Sequence, residues 1–528
     1  MKRAKQTLGL FLFYLVSVSV SNVGLFAGSA SAATFTVTST GDNHDPQPGD
    51  GSCGWPKSSP FYAIYSAVYP CTLRAAIEEV NAQRPGTGPH TINFSIGFGN
   101  QTISGVSLPY LMQPVVIDGG TQPVFVRNNL VLTVAPCSSV GHPCIQLNGN
   151  GWLGSVLTLS AGNSTVRWLA IYNYYDDGIS VTSDNDLIEA NYIGTDTSGV
   201  PGPWQKTGVA VTALPGYSAA NTVIRNNLIS GNERGGVLLF GSGVRNNQLL
   251  GNFIGTTVDG SAALLPSSLD CNNNNPTTGV FIGRGASNNM IGANVISGNC
   301  DGVVIDATGL TDPYSSTTAL RTFNQVLGNR IGTDATGWNP VPNRLHGVLI
   351  NNASSNLVAT TASGTPNLIS WNRFGVTIST TTQGISASDN ISASDNKVLS
   401  NNIGPRNEFG VLLSGFVAGT AISGNVVGNN SWGIYVNSVN MPTDPTASQH
   451  NFVQNNTASN NKYYGIQMRY GAIGNTVQTN VALGNAVQSP NHYEISADLA
   501  DDNVSPCANT WINNTFVSAS GFGASCIH

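Results

Sequence analysis

A stacked β-solenoid of the parallel β-helix class is the fold this sequence predicts, and three observations predict it. A nonapeptide of the form N-x-I-G-T-[DT]-x-x-G is written three times, at Asn191–Gly199, Asn252–Gly260 and Asn329–Gly337. A second motif alternates with it: "NLISGN" from Asn227, "NVISGN" from Asn294 and "NLISWN" from Asn367. Between them recurs a Gly followed by a brief β-prone run, from "GISV" at Gly178 through "GVFI" at Gly279 and "GVTI" at Gly375 to "GIQM" at Gly465. Such runs are rich in Val and Ile and bounded by Gly and Asn. Helical periodicity is absent from this region, and repeats of this length indicate a solenoid. A strand this short buries no apolar face alone, but stacked coil on coil, about 4.8 Å apart, the Ile and Val columns form a continuous interior. Asn at a repeated bend can stack into a hydrogen-bonded ladder, and Asn and Gly tolerate the left-handed backbone of tight bends. A β-propeller is the rival, but it needs four strands per blade and a more regular period.

Composition narrows the function classes. The 528 residues are 40% hydrophobic, only 9% charged, and include 60 Gly. This is not a disordered composition. The net charge is −6 and the sequence has no basic stripe, which argues against nucleic acid as a partner.

In chain order, residues 1–32 read as a leader peptide. Lys2, Arg3 and Lys5 precede an apolar run from Leu8 to Val20, and Ala30-Ser31-Ala32 is a cleavage signal. A membrane anchor is the alternative, but the run is short for a span. The mature chain is therefore expected to be exported, with no membrane span, and to be a monomer. Eight Cys in an exported chain suggest disulfides. Pairing of sequence neighbours joins Cys53 to Cys71, Cys137 to Cys144, Cys271 to Cys300 and Cys507 to Cys526; free thiols are the alternative. No Cys spacing suits zinc, and no metal site is assigned. The one helix signal is "CTLRAAIEEVNAQRPG", Cys71–Gly86. Thr72 can N-cap it, Leu73, Ala76, Ile77 and Val80 share one face, and Pro85-Gly86 stops it. An amphipathic helix here would cover the open end of the solenoid.

The stretch "FTVTSTGD…CTLRAAIEEVNA…TINFSIG…ISGVSLPYLMQPVVIDGGTQP", with the Asn-Ile-Gly repeats after it, resembles the CSLREA-type segment and coils of bacterial secreted β-helix proteins. The resemblance covers roughly residues 34–480. It implies a right-handed parallel β-helix of the pectate-lyase-like superfold, which hosts lyases, hydrolases, epimerases and adhesins and so does not fix function. One position departs: the family has Glu where this chain has Ala75, which removes a capping box and weakens the helix cap by about 0.5–1 kcal/mol. The expected organisation is a leader at 1–32, the CSLREA-like segment at 33–125, β-helix repeats at 126–485 and a disulfide-closed tail at 486–528.

Candidate chemistry falls in three places. Asp196 and Asp334 share a slot in the nonapeptide, but the middle copy has Thr257 there. A bend residue is the favoured reading, and calcium, which wants more acids, is the alternative. The stretch "YYDDGISVTSDNDLIEAN" gathers Asp176, Asp177, Asp184, Asp186 and Glu189. Asp176 and Asp177 are the catalytic candidates, as paired carboxylates for a glycosidic bond or as partners of a basic residue in a lyase; ordinary surface turns are the alternative. Third, the positions just before the repeated Gly align into one column: Tyr175, Asp176, Asp177, Arg234, Asp301, Arg373, Phe374, Phe409, Trp432 and Tyr464. Aromatic faces stack on sugar rings and charged groups bind hydroxyls or carboxylates, so this column is expected to border a glycan groove. His346 shares a bend slot and is read as a surface residue. Nucleophile-elbow, zincin and P-loop motifs are absent. The function expected is a secreted protein that binds, and as lyase or hydrolase cleaves, extracellular polysaccharide. The alternative is a non-catalytic adhesive solenoid.

Overall fold

The interior of the protein is a set of stacked Ile, Val and Leu columns, wound in three parallel sheets. The computed structural model describes Ala32–His528 apart from residues 57, 106, 129–130, 204–205, 265–270, 272–276, 308–321, 381–392, 439–447, 487–495 and 505–506. The leader expected at 1–32 lies outside the described residues but for Ala32. Among the described residues, the first sheet has 15 strands, the second 11 and the third 13. One coil visits each in turn: Leu187–Glu189, then Tyr192–Ile193, then Thr207–Thr212. Its strands pair in parallel with those of the coils on either side. The stacking also extends to either side of the stretch where the repeat motifs are legible, from Thr34–Val37 to Ala519–Ser520.

The alternation of the short strands explains the columns. In the first sheet Ile188, Ile224, Leu249, Ile291, Val326 and Val358 are register partners and have no exposed surface. In the second sheet the Ile of N-x-I-G and N-x-I-S does the same, from Ile193 through Ile254 to Ile369. Each buried Ile or Val stabilises by roughly 1.5–3 kcal/mol.

The bends are held by asparagine. Between the first and second sheets, Asn191, Asn227, Asn252, Asn294, Asn329 and Asn367 stack as a buried ladder. In each rung the backbone N–H and Nδ2 donate to Oδ1 of the next Asn, at 2.9 Å for both bonds from Asn252 to Asn294. The Nδ2 also donates to a backbone carbonyl of the preceding coil. Asn suits this position because one short side chain both accepts and donates. A second ladder enters the first sheet through Asn247, Asn289, Asn324 and Asn356. A third joins the second sheet to the third through Asn299, Asn343, Asn372, Asn407, Asn430, Asn461 and Asn485. It ends on the buried carboxylate of Asp498, whose Oδ1 accepts both donors of Asn485.

The N-terminal end is closed as its sequence predicts. The helix spans Leu73–Ala82, and Thr72 Oγ1 accepts from Ala75 N at 3.0 Å. Leu73, Ala76, Ile77 and Val80 join the core with Phe35 and Val37. Buried Glu79 ties the loop before the helix by accepting from the backbone N–H groups of Gly49 and Gly51. All four expected disulfides are formed.

Candidate functional site

The nonapeptide forms the long bends between the second and third sheets. They cover residues 194–206, 255–277 and 332–345, and they alternate with short bends at 230–234 and 297–300. Gly332 has φ +87°, and a Cβ on it would collide with the carbonyl of Ser370 in the next coil; Gly194 meets Ser230 in the same way. Only Gly fits that combination of left-handed backbone and close approach. The acids of the motif fasten their own loop. Asp196 Oδ1 accepts from the N–H groups of Ser198 and Val200 at 2.8 and 2.9 Å. Asp334 accepts from Thr336 Oγ1, Gly337 N and Asn339 Nδ2. These bonds hold the carboxyl of Asp334 down at about 2 against its desolvation. Thr257 fills the slot in the middle copy by accepting from Ala262 N and donating to Asp259. Among the described residues no group of three or more His, Cys, Asp or Glu is placed to hold a metal ion.

The acidic stretch separates into structural and unassigned members. Asp184 Oδ1 accepts from Ala220 N at 2.7 Å. Asp186 is buried on a ladder position, accepting from Ser164 N and Ser183 Oγ, both at 2.8 Å; burial still lifts its carboxyl to about 6. Glu189 belongs to an alternating ion-pair row on the first sheet, Asp118–Arg167–Glu189–Arg225. Asp176 and Asp177 remain. Asp177 begins the strand Asp177–Val181 and lies beside Thr207, while Asp176 is 3.6 Å from Lys206 Nζ. Lys206 in turn sits 4.6 Å over the ring of Tyr175. Burial and the charge of Asp176 raise Asp177 to about 7, against a Thr207 hydrogen bond and the Lys206 charge that lower it. This cluster offers a carboxylic acid still protonated near neutrality beside a second carboxyl and an ammonium. Arg234 is exposed in the next coil, its N–H donating to Lys206 O.

Six members of the predicted column, Asp177, Asp301, Phe374, Phe409, Trp432 and Tyr464, fall on one line of register, while Tyr175, Asp176, Arg234 and Arg373 lie just before it. The line runs Asp177, Thr207, Gly235, Thr278 and Asp301, and then His346, Phe374, Phe409, Trp432 and Tyr464. Asp301 is buried and accepts from His346 N and bonds its Nδ1 at 2.8 Å, so His346 is a fixed, half-buried member of the row. His346, Phe374, Phe409 and Trp432 then stack with centroids 4.7–5.6 Å apart and planes within 20°. The coil spacing of about 4.8 Å matches the distance at which rings stack. The ring faces that the sequence reading assigns to sugars are therefore turned to one another. Tyr464 is buried against Ala497 and Ala500, and the neighbouring Tyr463 continues the row outward beside Trp432.

Beside this stack lies a groove of about 1170 Å³. It lies where three successive bends between the second and third sheets are short: 370–373, 404–408 and 428–431. Five stacked triplets line it, each centred on an Asn of the third ladder: Pro342-Asn343-Arg344, Trp371-Asn372-Arg373, Arg406-Asn407-Glu408, Asn429-Asn430-Ser431 and Asn460-Asn461-Lys462. The sequence column includes Arg373 but misses Arg344, Trp371 and Arg406. The signal for them is the pair of side chains flanking the last Asn of "ISWN" and its equivalents, which the ladder turns outward. Arg373 Nε donates to Glu408 at 3.0 Å.

Residues 143–318 match the family model of a right handed beta helix region, and the fold is that right-handed parallel β-helix. No curated protein matches the chain. Among solved structures, the A-module of the Azotobacter vinelandii mannuronan C-5 epimerase AlgE4 is 14% identical, with a TM-score of 0.41, over 85% of this chain and 94% of that one. The Dettilon tailspike protein is also 14% identical with a TM-score of 0.41, over 83% and 66%. The periplasmic alginate epimerase AlgG is 12% identical with a TM-score of 0.31, over 71% and 76%. Likenesses this distant say nothing of activity or ligand.

Proposed function

We propose that the protein binds an extracellular polysaccharide along the groove of residues 342–462, and that Asp177 and Asp176 form a separate centre that cleaves such a chain. The observation that carries the binding reading is the run of short bends, which leaves a trough five coils long open to a linear ligand. Four disulfides suit an oxidising compartment, consistent with export.

The cleavage reading rests on the raised Asp177. As a hydrolase, Asp177 would give its proton to the glycosidic oxygen as that bond breaks, while Asp176, beside Lys206, opposes the positive charge developing on the sugar and water completes the reaction. As a lyase, the carboxylate of Asp176 would take the proton next to a uronate carboxyl, the ammonium of Lys206 would neutralise that carboxyl, and Asp177 would protonate the leaving oxygen. A specific observation favours a non-catalytic adhesive instead. Asp177 and Phe374 are six coil steps apart, about 29 Å at about 4.8 Å per step, and the one acid lining the groove, Glu408, is paired with Arg373.

A panel of polysaccharides assayed for binding, for new reducing ends and for unsaturated product tests these readings. Binding with product formation that Asp176→Asn/Asp177→Asn abolishes supports both. Product formation unchanged in the double variant removes the acid pair. Binding without product leaves the adhesive, and no binding to any polysaccharide refutes the proposal.

A further inference from the structure

We infer that the ligand of the groove is a linear acidic polysaccharide, running along the solenoid axis with its carboxylate or sulfate groups on Arg344, Arg406 and Lys462. This rests on the reading of the groove as a glycan site and names the class of glycan.

The floor of the groove has little to offer a neutral sugar. The amides of Asn343, Asn372, Asn407 and Asn430 donate to the next rung or to backbone carbonyls, and their Oδ1 atoms accept from the rung before. Recognition falls to the rim, and the rim is cationic. Four of the chain's 21 Lys and Arg line this one trough, against a single acid, in a protein of net charge −6. Glu408 pairs with Arg373; among the described residues Arg344, Arg406 and Lys462 have no ion-pair partner. Three of the four cations are also held in place. Arg406 lies 4.9 Å over the Trp371 ring, Lys462 lies 4.7 Å over Tyr463, and Arg373 lies 5.1 Å over Phe374. A guanidinium so fixed presents its fork to an oxyanion with less ordering cost.

Trp371 and Arg406 both have φ +63°, in the left-handed region that Asn429 and Asn460 occupy in the same position of later coils. A residue other than Gly or Asn there costs roughly 1–2 kcal/mol. The bend places these two side chains on the rim in adjacent coils. Arg344, Arg406 and Lys462 lie on every second coil, about 9.6 Å apart at about 4.8 Å per coil, a spacing close to that of every second sugar in an extended chain. A single-stranded nucleic acid fits less well. It needs free aromatic faces on which bases stack, and here those faces are turned to one another or lie under cations.

The test is calorimetric titration of the full chain with polygalacturonate, chondroitin sulfate, carboxyl-reduced polygalacturonate, dextran and oligothymidylate, each at low and raised salt. An acidic chain should bind at least about tenfold tighter than its uncharged counterpart and weaken with salt. Arg344→Gln/Arg406→Gln/Lys462→Gln should lose at least about tenfold in affinity. These side chains are exposed, so unchanged thermal melting is expected; Lys462→Gln alone, with a smaller loss, serves if the triple variant melts early. Equal binding of native and carboxyl-reduced polymer overturns the acidic class while leaving the glycan reading intact. Failure to bind any polysaccharide overturns both, and tighter binding of oligothymidylate assigns the groove to nucleic acid.

Discussion

Replacing Asp186 with Asn puts the logic of the ladders to a quantitative test. Asp186 holds the rung that Asn247, Asn289 and Asn324 hold further along, and its carboxyl is fully buried. Desolvation lifts it from 3.8 to about 6, against hydrogen bonds from Ser164 N and Ser183 Oγ that lower it. The folded chain therefore holds this proton more tightly than the unfolded chain. Stability is fully present below about pH 4, declines as pH rises towards about 6, and is flat above. The rise is worth about 3 kcal/mol, at about 1.4 kcal/mol per pH unit. Asn carries no such proton, although it gives up the bond from Ser183. Asp186→Asn should thus gain about 2.5 kcal/mol relative to the native chain between pH 4 and pH 8, whatever constant offset the lost Ser183 bond introduces. Urea unfolding followed by far-ultraviolet circular dichroism at the two pH values measures this difference. A variant effect that is the same at both pH values would refute the claim that this acid is a ladder rung carrying a charge penalty.

Other substitutions probe the remaining elements. Asn294→Ala removes two acceptor and two donor bonds within the buried ladder, and stability should fall by about 3 kcal/mol or more in thermal melts; Asn402→Ala, at an exposed strand position, should cost about 0.5 kcal/mol or less in the same melts. Gly332→Ala combines a left-handed φ with a collision on Ser370, so a large fall in soluble yield and melting temperature is expected, whereas unchanged melting would count against the close approach. Ala293 sits at φ +55°, and Ala293→Gly should raise stability by about 0.5–1 kcal/mol in urea titration. If the acid pair cleaves glycan, the rate should fall as pH rises through about 7, where Asp177 loses its proton; a pH–rate profile flat from pH 6 to 8 argues against Asp177 as the acid.

Much of this architecture is legible in the sequence because stacking repeats the same requirement in every coil. Ile193, Ile254 and Ile331 recur because each fills one interior slot, and Gly194, Gly255 and Gly332 recur because each passes under a neighbour's carbonyl. The bend role of Asp196 is legible for the same reason, since Thr257 serves in its place. What is less legible depends on contacts between coils. The loss of ring faces at Phe374 and Phe409 follows from a coil spacing that suits ring stacking. Arg344 and Arg406 are missed because the groove is shaped by the short bends at 370–373, 404–408 and 428–431, a difference in length that no single motif carries. Asp186 shares the coil slot of Asn289, and its bonds to Ser164 and Ser183 separate it from Asp177, which has Asp176 and Lys206 beside it.

The claim that a polysaccharide lies along the groove is tested most directly by hydroxyl-radical footprinting of the tryptophans, with and without the best-binding polymer. Trp371 lines the groove, while Trp338, 85% exposed on the loop of the third nonapeptide, does not. Binding should protect Trp371 from oxidation and leave Trp338 unchanged. Protection of Trp338 with Trp371 still reactive would place the ligand elsewhere and contradict the account.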